Sequence, residues 1–142
     1  MNRSEMLLAG LAAAGENASF TPVQVQKLFF VLDREAAHVL DGPHFSFEPY
    51  DYGPFDRMVY VGIDELARQD LAKVQSTGRY RVYSLSQQGY QQGVNLLNGL
   101  DAPVRHYVQS IATWVRQLTF EQLVASIYNK YPEMKVKSVF RG

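Results

Sequence analysis

Residues 71–89 read LAKVQSTGRYRVYSLSQQG. Leu71 to Val74 and Arg79 to Leu85 have the composition of two short strands, and Ser76-Thr77-Gly78 between them is turn chemistry. Ser86-Gln87-Gln88-Gly89 then starts a helix that ends near Gly99. A hairpin thus runs straight into a helix, and helices are predicted on both sides of this unit.

Upstream, a first helix is predicted over Ser4 to Ala14, with Ser4 as N-cap, Gly15 as terminator and Met6, Leu7, Leu11 and Ala14 as its apolar stripe. Thr21-Pro22-Val23-Gln24 is a capping box: the hydroxyl takes an orphan N–H, Gln24 reaches back, and Pro22 sits where its missing N–H is harmless. Val25, Leu28, Phe29, Leu32, Ala36, Val39 and Leu40 carry this second helix to about Leu40, where Asp41-Gly42-Pro43 stops it. Residues 44–55, HFSFEPYDYGPF, hold five aromatics and read as an extended segment broken at Pro49, with Gly53-Pro54 as a turn. A third helix follows from Phe55 or Asp56 to Gln69, burying Val59, Ile63, Leu66 and Ala67.

Downstream, Asp101 or Ala102 opens a helix through Leu118, and Thr119-Phe120-Glu121-Gln122 is a second capping box that opens a helix to Tyr131. Pro132 closes it, and a loose basic tail is expected from Met134. The order helix, helix, extended segment, helix, hairpin, helix predicts a mainly α fold with a small β-hairpin. It is the order of a winged-helix-like core (about 21–100), here with a C-terminal helical extension (about 101–133) and a basic tail (134–142), all in one domain over 1–142. Such a likeness of fold says little about function.

Composition narrows the chemistry. The 142 residues include no cysteine, which excludes thiolate nucleophiles, disulfides and cysteine-held metal. Fourteen bases balance fourteen acids, so no global field draws the chain to nucleic acid or membrane. Residues 1–70 hold 11 acids against 5 bases, and residues 71–142 hold 3 against 9. Such a split suits complementary packing within one fold, or a dimer that docks one half on the other. Residues 1–15 imitate a signal peptide only faintly, since Glu5 sits in the basic region and Ala and Gly fill the apolar one. No run approaches the ~18 apolar residues of a membrane span, and a cytoplasmic location is expected.

No constellation carries a reaction. His38, Asp41 and His44 straddle a helix end without the i,i+4 histidine spacing of a metal site, so neither metal nor cofactor is expected. Glu48, Asp51 and Asp56 flank the aromatic segment, where desolvation could raise a carboxyl pKa, but no partner base is fixed nearby; a hydrolase using them ranks last. As a DNA-binding regulator, the second alternative, the chain would use Lys73, Arg79 and Arg81 of the hairpin and the Lys130, Lys135, Lys137 and Arg141 bases. The helix from Asp56 to Gln69 carries Asp64 and Glu65, which repel phosphate. Tyr50, Asp51, Tyr52 and Phe55 have the composition of a protein-binding hot spot, with Tyr50 and Asp51 facing a partner and Phe45, Phe47 and Phe55 packing inward.

Gln26-Lys27-Leu28-Phe29-Phe30 and Tyr50-Asp51-Tyr52-Gly53-Pro54-Phe55 resemble the Panacea or SocA-like (phage-associated protein) domain and the related YwgA-like proteins, over about residues 21–90. The resemblance implies a mostly helical, non-enzymatic protein-binding module, an antitoxin that holds a toxin or an adaptor that presents one to a protease. Its motif residues carry over to Gln26, Lys27 and Leu28 and to Tyr52, Gly53 and Pro54, adding Lys27, Gly53 and Pro54 to the candidate binding site. Tyr50-Asp51 and Phe55 look more YwgA-like than typical of the antitoxins.

Thr21→Ala is expected to lose about 1 kcal/mol of stability through the broken capping box. Chemical denaturation reads this directly, and an unchanged midpoint would mean that Thr21 does not cap the helix.

Overall fold

The computed structural model describes residues 1–140, so Arg141 of the tail lies outside the described residues. Six helices, α1 (Arg3–Ala12), α2 (Pro22–Glu35), α3 (Arg57–Arg68), α4 (Gln87–Asn98), α5 (Ala102–Gln117) and α6 (Phe120–Lys130), surround five short strands. The strands are β1 (Ser19–Phe20), β2 (Glu48–Tyr50), β3 (Gly53–Phe55), β4 (Ala72–Thr77) and β5 (Tyr80–Leu85). β1, β5 and β4 form an antiparallel sheet in that order, and β2 and β3 form a separate ribbon. The protein is therefore mainly α with a small antiparallel sheet, and no helix among the described residues is long and apolar enough to cross a membrane.

The capping signals hold. Thr21 Oγ1 accepts from the Gln24 N–H at 3.3 Å while Gln24 Oε1 accepts from the Thr21 N–H at 2.9 Å, and Thr119 and Gln122 repeat the exchange at 3.1 and 3.0 Å. The first helix starts earlier than expected, because Asn2 rather than Ser4 caps it, in a box with Glu5. α2 stops at Glu35, short of Leu40, and a 3-10 turn (Ala37–Val39) follows. The cause lies in Asp33, whose buried carboxylate accepts from the N–H groups of His44 (2.6 Å) and Phe45 (2.8 Å). The chain must leave the helix early to return over Asp33. Arg3 then clamps this return, donating to the His44 carbonyl at 2.9 Å and lying 4.8 Å over the Phe45 ring.

The aromatic segment is a hairpin and not one broken strand. Pro49 lies inside β2 opposite Pro54 of β3, and the chain reverses at Asp51-Tyr52 rather than at Gly53-Pro54. A two-stranded ribbon tolerates facing prolines because neither missing N–H breaks a longer ladder. The other hairpin turns at Gly78-Arg79, so its first strand runs on to Thr77.

Helix α1 is buried along Met6–Ala12, a wider contact than a single stripe, because it lies across α4 and also meets α3 and α2. Gly93 of α4 makes the crossing tight: a Cβ there would stand 2.5 Å from the Leu8 carbonyl oxygen and 2.5 Å from Ala12 Cβ. The C-terminal segment is docked rather than loose. Met134 is buried in a 3-10 turn (Pro132–Lys135), the Val139 N–H donates to the Asp51 carbonyl at 2.9 Å, and the Phe140 ring meets those of Phe120 and Tyr128.

Gly93→Ala is expected to destabilise the fold by about 1–3 kcal/mol, as overpacking does, although Ala is the better helix former. Urea denaturation tests this, and a neutral or stabilising result would mean that α1 and α4 separate freely.

Candidate functional site

Two adjacent polar residues of α2 are buried among its apolar neighbours, Gln26 and Lys27. The Gln26 amide works as a strand neighbour would: Oε1 accepts from the Asp56 N–H at 2.9 Å and Nε2 donates to the Asp56 carbonyl at 3.0 Å. Asp56 in turn caps α3 through the Met58 N–H (2.8 Å) and holds the Ser46 N–H (2.7 Å). Both ends of the 46–56 segment are thereby fixed to α2.

Lys27 runs beneath this segment. Gly53 has φ +110°, and a Cβ there would lie 3.2 Å from Lys27 Nζ and 3.5 Å from Tyr128 Cε1. Both the backbone conformation and the close approach therefore require glycine. Lys27 is 3 % exposed, and among the described residues no carboxylate pairs with it. Burial pushes its amine down to about 7 from 10.5. The Tyr128 hydroxyl, beside the same glycine, is buried with no hydrogen-bond partner among the described residues.

Above Lys27 a depression of about 200 Å³ opens between α2, the β2–β3 hairpin and α3, walled by Tyr50, Tyr52, Phe55 and Tyr60. Tyr50 stacks on Phe55 at 4.8 Å, Phe55 meets Tyr60 edge-on at 5.8 Å, and Tyr60 stacks on Tyr83 at 5.7 Å. The Tyr60 hydroxyl donates to the Pro22 carbonyl at 3.4 Å, and burial pushes it up to about 12. A second depression of about 360 Å³ adjoins the first across Pro22 and Val23, with Tyr80, Leu118, Phe120 and Leu123 on its far side. Tyr52 meets Phe120 edge-on at 5.1 Å, which makes the rims of the two continuous.

No family model, curated protein or solved structure matches the chain. Its site is legible through its own geometry.

Tyr50, Asp51, Tyr52, Gly53, Pro54 and Lys27 come together in one place. Tyr50 (51 % exposed) and Tyr52 (44 %) face outward, Asp51 is half-buried, and Gly53 and Pro54 are buried supports. Phe45 enters the core, but Phe47 is half-buried against Phe30 and Phe55 lines the depression instead of packing inward. The cause is the hairpin, which sets β3 beside the N-terminal half of α2.

The hairpin bases are not brought together. The β4–β5 register puts Lys73 and Arg81 on opposite faces of the sheet, and Arg81 lies 3.5 Å from Asp64 of α3. Of Glu48, Asp51 and Asp56, the last has both carboxylate oxygens accepting backbone N–H groups, from Ser46 and Met58. The His44 ring bonds the Leu40 carbonyl, Asp41 bonds the amino terminus, and among the described residues no group of three or more His, Asp or Glu side chains could hold a metal ion. Tyr60 and Tyr80 join the site without any sequence signal, because only the fold brings their elements beside α2.

The depressed Lys27 amine sets a pH dependence. The unfolded chain keeps this proton up to about 10.5 and the folded chain loses it near 7, so between those values the unfolded state binds more protons and folding stability rises with pH. The titratable residues that line the depression with Lys27 are Tyr50 and Tyr52 of the hairpin and Tyr60 of α3; the Tyr128 ring lies beside Gly53, with Asp51 and Lys135 the charged groups near it. From pH 7 to 9 the native protein should gain about 2 kcal/mol relative to Lys27→Met. Denaturation of both at the two pH values checks this, and parallel behaviour would show that the amine is solvated.

Proposed function

We propose that the protein is a non-enzymatic protein-binding module of winged-helix type, an antitoxin or adaptor acting in the cytoplasm, whose partner docks on the aromatic face at the start of α2. One observation carries this. Tyr50, Tyr52, Tyr80 and Phe120, all exposed and drawn from the β2–β3 hairpin, β5 and α6, gather round two adjoining apolar depressions. Scattered exposed aromatics need no explanation, whereas a continuous rim of rigid rings with polar handles has the composition of a binding hot spot. The Asp51 carbonyl, tied to Val139, and Gly53, packed on Lys27 just after the turn, hold the rim in one arrangement, so docking requires little ordering.

The strand order β1-β5-β4, with β1 between the first two helices laid against the last strand, supports the winged-helix assignment, and β2–β3 is then an insertion before the third helix. Gln26 and Lys27 line one depression with Tyr52, Gly53 and Pro54, a juxtaposition that agrees with the SocA-like resemblance from which the antitoxin or adaptor role is taken. Duplex DNA is a weaker fit: Arg81 is engaged by Asp64, and α3, the helix that would enter a groove, presents Asp64 and Glu65.

The test starts from a pull-down in the native host, read by mass spectrometry, followed by titration of the recovered partner. Tyr50→Ala and Asp51→Ala should leave the melting temperature nearly unchanged and lose about 1–3 kcal/mol of partner affinity. Phe45→Ala should instead unfold the protein by about 3–5 kcal/mol, as a core aromatic deletion. Sub-micromolar, salt-sensitive binding to duplex DNA would overturn the proposal, as would a Tyr50→Ala protein that melts early while its folded fraction still binds the partner.

A further inference from the structure

We propose that Lys27, which lines the depression walled by Tyr50, Tyr52 and Tyr60, anchors the partner: its amine receives the carboxylate of an acidic side chain on the docking segment. This deepens the protein-binding function proposed above and rests on it.

A lysine with almost no exposed surface is rare unless it is paired, because an ammonium group taken from water needs compensation. Lys27 has no carboxylate partner among the described residues, while five other ion pairs form at the surface. The neighbouring Gln26 cannot serve, since its amide is used on Asp56. The residues that line the depression with Lys27 include no acid, and the phenols among them supply no negative charge near neutral pH. Among the described residues the lining supplies the cation, Lys27, and no anion, which leaves that role to the partner.

The chemistry of the ligand follows from what the site lacks. One amine in an aromatic well matches one negative charge. A phosphate, with a charge near −2, would need a second cation, and Lys27 is the only basic residue that lines the depression. The source follows from the shape. The depression continues over Pro22 and Val23 into the second groove beneath Tyr80 and Phe120, so a chain lying along both would present a side chain, not its end, above Lys27. Burial holds the amine near 7, so a carboxylate would draw a proton onto it as it binds.

The test uses the full chain labelled with 13C-lysine, whose five lysine Cε resonances are followed against pH, with Lys27→Met assigning the one that titrates near 7. Butyrate stands for the end of a glutamate side chain and butyramide for its neutral counterpart. Butyrate is expected to raise the Lys27 midpoint by at least one pH unit, and butyramide to leave it in place. With the partner recovered as above, Lys27→Met and Lys27→Gln should each bind at least tenfold more weakly while melting no earlier than the native chain. Native affinity should fall between pH 6 and pH 9, and that of Lys27→Gln should not. Equal effects of butyrate and butyramide, or native affinity in a folded Lys27→Gln, would overturn the proposal. If Tyr50→Ala loses the partner and Lys27→Gln keeps it, the aromatic face stands as the docking site and only the anchor falls.

Discussion

The two hydrogen bonds between the Gln26 amide and the backbone of Asp56 hold the β2–β3 hairpin and the start of α3 to α2. A buried glutamine left unpaired would destabilise α2, and a backbone N–H and carbonyl left unpaired at Asp56 would do the same to the segment entering α3. Joined, they satisfy each other and fix where β3 ends and α3 begins. Asp56 passes the constraint on, capping α3 with one oxygen and holding Ser46 with the other. Asp33 does the equivalent at His44 and Phe45, so the loop between α2 and α3 is fastened to α2 at both ends.

Lys27 takes its meaning from that fastening. Because the hairpin is held close, the lysine cannot swing out to water, and because Gly53 has no side chain, the amine can lie directly against the turn. The same closeness leaves Tyr50 and Tyr52 standing outward over it. Rigid support and outward aromatics are thus two consequences of one packing arrangement. The docked C-terminal segment adds a third contact, with Val139 and Ser138 bonded to the Asp51 carbonyl.

The uneven charge along the chain is answered partly within the fold. Glu35 meets Lys130 at 3.6 Å and Asp64 meets Arg81 at 3.5 Å, each joining an acid of the first half to a base of the second. Exposed pairs of this kind contribute at most about 1 kcal/mol each, so they orient α6 and the β4–β5 hairpin more than they stabilise them. They also lower the free positive charge that the hairpin would offer to phosphate.

Local chemistry sufficed for the helix starts after the first, which Asn2 and not Ser4 caps. The capping boxes at Thr21 and Thr119, the Ser86 and Asp56 caps and the β4–β5 hairpin are short-range features, and each is determined by residues within a few positions of one another. The resemblance marked Lys27 and Gly53 without a reason for either. Their contact, the return of the chain onto Asp33, the two-residue strand β1 and the ring of Tyr60, Tyr80 and Phe120 were decided only by the tertiary structure. Each joins residues far apart in the chain, and no periodicity or spacing encodes which distant surfaces will meet. Burial does the rest: the same lysine that reads as a surface charge in the sequence becomes an unpaired amine only when a glycine turn closes over it.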